Sequence, residues 1–202
     1  MLFRSPAPAA TFCKLLTMAL NESYLKLRRD TLELNDEARE HSLCRSICGG
    51  CCVPDLSMLP EDQELILEAA ARGDISVETL RRARARAQDD SVDRCPFLGD
   101  EHECTIYEYR PVVCIQHGNG GLPKEKATAL RAMKRPGKRT IRLAELEKFS
   151  CTTCAEHIDD NTRIPLSVVG KSVAVLVTIQ QAEQHYGKRR MHAFITTSFA
   201  DV

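Results

Sequence analysis

The chain has 202 residues and 22.6 kDa, with 28 Lys plus Arg balanced by 28 Asp plus Glu, a size that suits one domain or one domain with appendages. The most apolar stretch, residues 173–179, is far short of the roughly 20 apolar residues that a membrane-spanning helix needs, and a charge balance of zero argues against a general nucleic-acid binder. With 43% hydrophobic but 5% aromatic residues and no Trp, the core is expected to be aliphatic and stapled by something else.

Residues 1–20 hold Arg4 and Lys14, no acid, and a Pro/Ala run. They share some composition with an organellar transit peptide, but the plainer expectation is a disordered or mis-started leader, with Met18 an alternative start and Cys13 a bystander. From Asn21 a polar helix is expected, with Leu25, Leu27, Leu32, Leu34 and Ala38 set among acids. Pro60, followed by Glu61 and Asp62 where the helix dipole favours acids, predicts a helix that Gly73 closes. Ser76 is a good N-cap for the next helix, whose apolar stripe is Leu80, Ala83 and Ala87, with Arg81, Arg82, Arg84 and Arg86 on a solvated face.

Residues 95–121 are punctuated by Pro and Gly and read as loops around one short helix beginning at Pro111. Further helices are expected over 123–133 and 143–148, separated by a turn at 135–137. The last long element, 165–186, has Val169, Val173, Leu176 and Val177 at helical spacing and Gly187 to end it. Residues 173–179 also suit a buried strand. The chain thus divides into a leader 1–20, a cysteine-bearing domain 21–121, a helical part 122–187 packing on it, and a tail 188–202. The expected fold class is mostly α, a small helical domain with a loop-rich, metal-stapled cysteine region.

The ten cysteines dominate the functional reading. Cys44, Cys48, Cys51 and Cys52 form one group, Cys95, Cys104 and Cys114 a second, and Cys151 and Cys154 a C-x-x-C. Such clusters favour metal over disulfides, and no clear secretory signal precedes them, so a reduced, cytoplasmic setting is expected. Thiolate is a soft donor for zinc or iron, and Gly49 and Gly50 let the first loop fold back so that several sulfurs converge. Pro111 puts Cys114 in a first helical turn, where the positive helix end favours the ligating thiolate. Phe97, Ile106 and Tyr107 read as core. Arg110 reads either as an ion-pair residue or as a support behind the ligands.

Three motifs, Cys48-Gly-Gly-Cys51-Cys52, Cys95-Pro-Phe-Leu and Cys104-x-Ile-Tyr-x-x-Arg-Pro-x-x-Cys114, stand in one order over residues 44–114. They resemble the CxxCxxCC (YkgJ-like) family of zinc- or iron-chelating cysteine-cluster proteins. Two departures are the three-residue spacing between Cys44 and Cys48 and Ile115 where Arg is common after the last cysteine. The resemblance implies metal chelation, and a related motif in flagellin lysine methylases implies that an iron-sulfur cluster, such as 4Fe-4S, is a realistic cargo.

The surroundings of Cys48, Cys51, Cys95, Cys104 and Cys114 rank these as primary ligands, with Cys44 and Cys52 next and Cys151 and Cys154, near His157, last. Seven cysteines in 44–114 exceed the four of one zinc or one cubane cluster, which leaves two metals, a cluster plus a redox pair, or two sites completed by the C-x-x-C. His117 reads as a surface residue. Residues 124–142 carry eight basic residues against Glu125, a net +7, and read as a solvated face or as a contact for a protein or RNA partner. The leading expectation is a metalloprotein holding an iron-sulfur cluster or zinc. The alternatives are an iron-sulfur-dependent enzyme modifying protein or RNA, and a zinc-stapled interaction adaptor.

Overall fold

The computed structural model describes residues 22–39, 49–50, 52–53, 56–89, 91–118, 140–142, 163–187 and 189–201. The leader with Cys13 and the helices expected over 123–133 and 143–148 lie outside them. So do the turn at 135–137 and the basic segment except 140–142. The described part is mostly helical: α1 (Glu22–Arg39), α2 (Pro60–Arg72), α3 (Val77–Gln88), α4 (Val112–Gly118), α5 (Leu166–Tyr186) and α6 (Met191–Ser198).

Local signals set several boundaries. Pro60 opens α2, and Gly73 closes it at φ +81°, a left-handed position with open space around it, which glycine adopts without a Cβ clash. Ser76 caps α3 through its side chain, which accepts the Thr79 N–H at 3.1 Å. Leu80 and Ala83 form the buried face of α3. Arg81 and Arg82 are exposed, while Arg86 reaches Asp100 at 2.5 Å. Residues 173–179 lie within α5, and the strand reading of that stretch is excluded.

Two apolar clusters organise the chain. In the first, Tyr24, Leu27 and Leu34 of α1 pack with Val168, Val169, Val173, Val175 and Ile179 of α5, together with Leu59 and Val112. On α1, Leu27 and Leu34 are buried together with Arg28, Thr31 and Asn35, whereas Leu25 and Leu32 are exposed. The second cluster joins Ile66 and Ala69 of α2, Leu80 and Ala83 of α3, the loop residues Cys95, Phe97 and Ile106, and Met191, Phe194, Ile195 and Phe199.

Residues 188–202 correct the expectation of a tail. Two-residue strands β1 (Ser57–Met58) and β4 (Arg189–Arg190) pair antiparallel, Ser57 with Arg190 and Met58 with Arg189. The Met191 N–H then donates to the Leu56 carbonyl at 3.1 Å, which seats α6 against α3. A second ladder pairs β2 (Thr140–Arg142) with β3 (Arg163–Pro165) at the entrance to α5. No helix among the described residues is long and apolar enough to cross a membrane.

Candidate metal centre

Backbone hydrogen bonds join the cysteine motifs. Gly49 is buried at φ +59°, and a Cβ there would stand 3.1 Å from Leu98 Cδ1, so both the backbone angle and the close packing call for glycine. The Gly49 carbonyl accepts the Cys52 N–H at 3.0 Å, and the Cys52 carbonyl accepts the Cys95 N–H at 2.9 Å. That second bond ties the first motif to the second. The Cys95 carbonyl in turn accepts the Leu98 N–H at 3.0 Å, closing the Cys-Pro-Phe-Leu turn. Leu98 and Cys104 form an isolated antiparallel bridge, and the Phe97 carbonyl accepts both the Thr105 N–H and its hydroxyl, at 3.0 and 2.8 Å. The third motif is thereby sewn to the second, with Phe97 and Ile106 buried beneath it.

Cys114 stands in the first turn of α4, its N–H donating to the Pro111 carbonyl at 2.9 Å. Cys52, Cys95, Cys104 and Cys114 all border the second apolar cluster. Cys95 is buried, the other three are half-buried, and none is disulfide-bonded. Thiols against an apolar wall are the donor chemistry that suits zinc or iron, because a dry surround strengthens the thiolate–metal interaction. Among the described residues no three His, Cys, Asp or Glu side chains stand close enough to hold an ion. Cys44, Cys48, Cys51, Cys151, Cys154 and His157 lie outside those residues, as does the His117 side chain.

The segment from Cys104 to Cys114 has little regular structure of its own, a single 3-10 turn (Tyr107–Tyr109) before α4, and is held by three tethers. Asp62, only 1% exposed, accepts the Tyr24 hydroxyl at 2.8 Å, the Leu59 N–H at 2.9 Å and the Val112 N–H at 3.0 Å. One carboxyl thus links α1, the start of α2 and the start of α4. Burial pushes its pKa above the ordinary carboxylate value, the three hydrogen bonds acting in the opposite sense. Burial and the neighbouring Asp62 raise the Tyr24 phenol, which stays a donor.

Arg28 provides the second tether, its guanidinium donating to the Arg110 carbonyl at 2.7 Å and the Glu108 carbonyl at 2.6 Å. In the third, the Tyr109 hydroxyl donates to Asp74 at 2.9 Å. Arg72 and Tyr109 hold the Asp74 carboxyl below its usual range.

The Arg110 guanidinium lies 3.9 Å from the Tyr107 ring centroid, a cation–π arrangement. Sequence reasoning gave Asp62 only a helix-dipole role and passed over Arg28. A Pro-opened helix with Asp at its third position is the one local signal for Asp62, since that carboxylate reaches back to the cap N–H. Nothing near Arg28 in sequence announces acceptors some 80 positions away.

Residues 43–135 match the sequence model of the CxxCxxCC family, described as "Putative zinc- or iron-chelating domain". No curated protein and no solved structure is significantly similar to the chain.

Proposed function

We propose, from the match of residues 43–135 to the CxxCxxCC domain model, that the chain is a metalloprotein whose clustered cysteines hold an iron-sulfur cluster or zinc. The primary ligands are drawn from Cys48, Cys51, Cys95, Cys104 and Cys114, supported by Cys44 and Cys52. The observation that carries the reading is the continuous set of backbone bonds from Gly49 through Cys52, Cys95 and Phe97 to Thr105, which draws cysteines more than 40 positions apart in sequence onto one apolar wall.

A donor set made of cysteines alone suits an iron-sulfur cluster as well as zinc, and our reading leans to the cluster. Such a cluster supplies one-electron transfer when bound. The protein's own part is to orient the thiols, to exclude water with Phe97 and Ile106, and to fix the 104–114 arm through Asp62 and Arg28.

The experiment is elemental analysis with visible absorption on protein purified without oxygen. Iron with acid-labile sulfide and a brown colour is expected, because thiolate-to-iron charge transfer absorbs visible light while filled-shell zinc does not. Colourless protein with stoichiometric zinc would replace the cluster by a structural ion. Protein that binds neither would overturn the proposal.

A further inference from the structure

Away from the cysteines, the antiparallel ladder of β2 and β3 sets two like charges against each other. Its register places Thr140 opposite Pro165, Ile141 opposite Ile164 and Arg142 opposite Arg163. Directly opposed positions of such a ladder are close neighbours, and like charges there work against the pairing. Arg163 is exposed. Its guanidinium has only a long contact, 3.4 Å, with the uncharged Thr140 hydroxyl, and no carboxylate among the described residues pairs with it.

The arginines of α3 are surrounded differently. Arg81 pairs with Glu78 at 2.9 Å, and Asp100 is shared by Arg82 at 3.9 Å and Arg86 at 2.5 Å. The sequence leading into β2 has no such balance: residues 134–142 hold Lys134, Arg135, Lys138, Arg139 and Arg142 and no acid, on a chain whose net charge is zero. Cations gathered in one stretch attract a polyanion locally, even where the whole molecule is neutral. The planar guanidinium matches phosphate oxygens two at a time. Neither 134–142 nor 163–165 contains Phe, Tyr or Trp, so no ring is offered on which bases could stack, and the contact is to the backbone of the polyanion.

We propose that the β2–β3 ladder, with the basic sequence that leads into it, binds the phosphate backbone of single-stranded nucleic acid, Arg142 and Arg163 being its paired phosphate contacts. A phosphate at the opposed arginines turns their mutual repulsion into attraction to a shared anion. The binding is independent of base sequence, sensitive to salt, and separate from the proposed metal centre. Residues 143–162 hold five acids against Lys148; in the rival arrangement those acids answer the arginines within the chain and no nucleic acid binds.

The test is fluorescence anisotropy of a labelled oligo-uridylate of about 12 nucleotides with the full, metal-loaded chain, over about 50–200 mM salt. With Lys138, Arg139, Arg142 and Arg163 each meeting one phosphate, the logarithm of the binding constant should fall against the logarithm of salt concentration with a slope of about −3. The double variant Arg142→Gln/Arg163→Gln should bring the slope to about −1.4 and weaken binding several-fold at the lowest salt, with metal content unchanged. Arg81→Gln/Arg82→Gln, which removes two exposed arginines elsewhere, should bind as the parent does. No binding at the lowest salt, a slope near zero, or equal losses from the two double variants would each overturn the proposal. Poly-glutamate competing as well as unlabelled oligo-uridylate would overturn it in favour of an acidic protein partner. The slope and the competition on the unaltered chain decide the matter even if a variant fails to fold.

Discussion

Replacing Asp62 by Ala removes the acceptor for three groups at once: the Tyr24 hydroxyl, the Leu59 N–H and the Val112 N–H, at 2.8, 2.9 and 3.0 Å. Each buried donor left without a partner costs about 1–3 kcal/mol. Part of that loss is offset, because a carboxylate whose burial raises its pKa no longer has to be desolvated. A net destabilisation of about 3–5 kcal/mol follows, a large share of the 5–15 kcal/mol typical of a domain.

Asp62→Asn keeps the shape and one acceptor oxygen, so it should cost less, about 1–3 kcal/mol, from turning an NH2 toward a backbone donor. Urea unfolding gives both differences. Transfer of metal to a competing chelator gives the consequence for the proposed centre, since Val112 begins the turn that presents Cys114 and both variants should speed release. An alanine variant within about 1 kcal/mol of the parent, releasing metal at the parent rate, would refute the view that Asp62 fixes the 104–114 arm.

Gly49→Ala should cost about 1–2 kcal/mol and weaken metal retention, from the left-handed φ and the 3.1 Å approach to Leu98, whereas Gly73→Ala, with the same kind of φ in open space, should lower stability alone; parallel melting and metal assays separate the two. Because burial raises the native pKa of Asp62 above the ordinary carboxylate value, the folded state binds that proton more tightly than the unfolded chain. Stability from this group is therefore complete below about pH 4 and falls as pH rises through the native pKa, so the advantage over Asp62→Asn should narrow upward in a pH series of urea midpoints. In a Cys-to-Ser series, changes at Cys48, Cys51, Cys95, Cys104 and Cys114 should lose most metal, Cys151→Ser should keep part, and Cys13→Ser should keep all; equal and complete loss at every cysteine from 44 to 154 would indicate one cooperative site including the C-x-x-C. Under chelation, hydrogen exchange should rise over 49–53 and 95–99 while 106–114 stays protected by Arg28, Asp62 and Asp74; equal loss across all of them would show that those tethers do not hold the arm.

Signals that act within a few residues were legible. Pro60, Gly73, Ser76, Pro111 and Gly187 punctuate helices in the sequence and do so in the structure, because caps and left-handed residues work locally. The order and identity of the cysteine motifs were legible too, since the donor type is a property of the side chain. The helical or extended state of 173–179 was not decided by its β-branched run. Packing of Val169, Val173 and Ile179 on α1 accompanies the helix, a tertiary effect that a period count does not contain.

Burial on α1 depends on the same kind of tertiary information. Arg28 is buried with its guanidinium on two carbonyls far along the chain, while Leu25 is 45% exposed among the described residues. α6 looked like a tail because eight residues without a capping side chain carry little intrinsic helix signal. Its order comes from β1 pairing with β4 and from Phe194 and Phe199 meeting edge to face at 5.7 Å.

The sequence reads as a loop-rich, metal-stapled region, and the arm between Cys104 and Cys114 is in addition tied by Arg28 from α1, by Asp62 from α2 and by Asp74 from the turn between α2 and α3. None of these residues carries a thiol. They fix backbone and hydroxyl groups at Glu108, Tyr109, Arg110 and Val112, so the position of Cys114 is set by groups that keep their bonds whether or not a ligand occupies the sulfurs. Part of the entropy of assembling the proposed centre is then met by the helical framework. Soft donors sit on irregular loops while Arg28 and Asp62 of the helices hold those loops in place, so the proposed centre does not require each loop residue to be ordered by the ion itself.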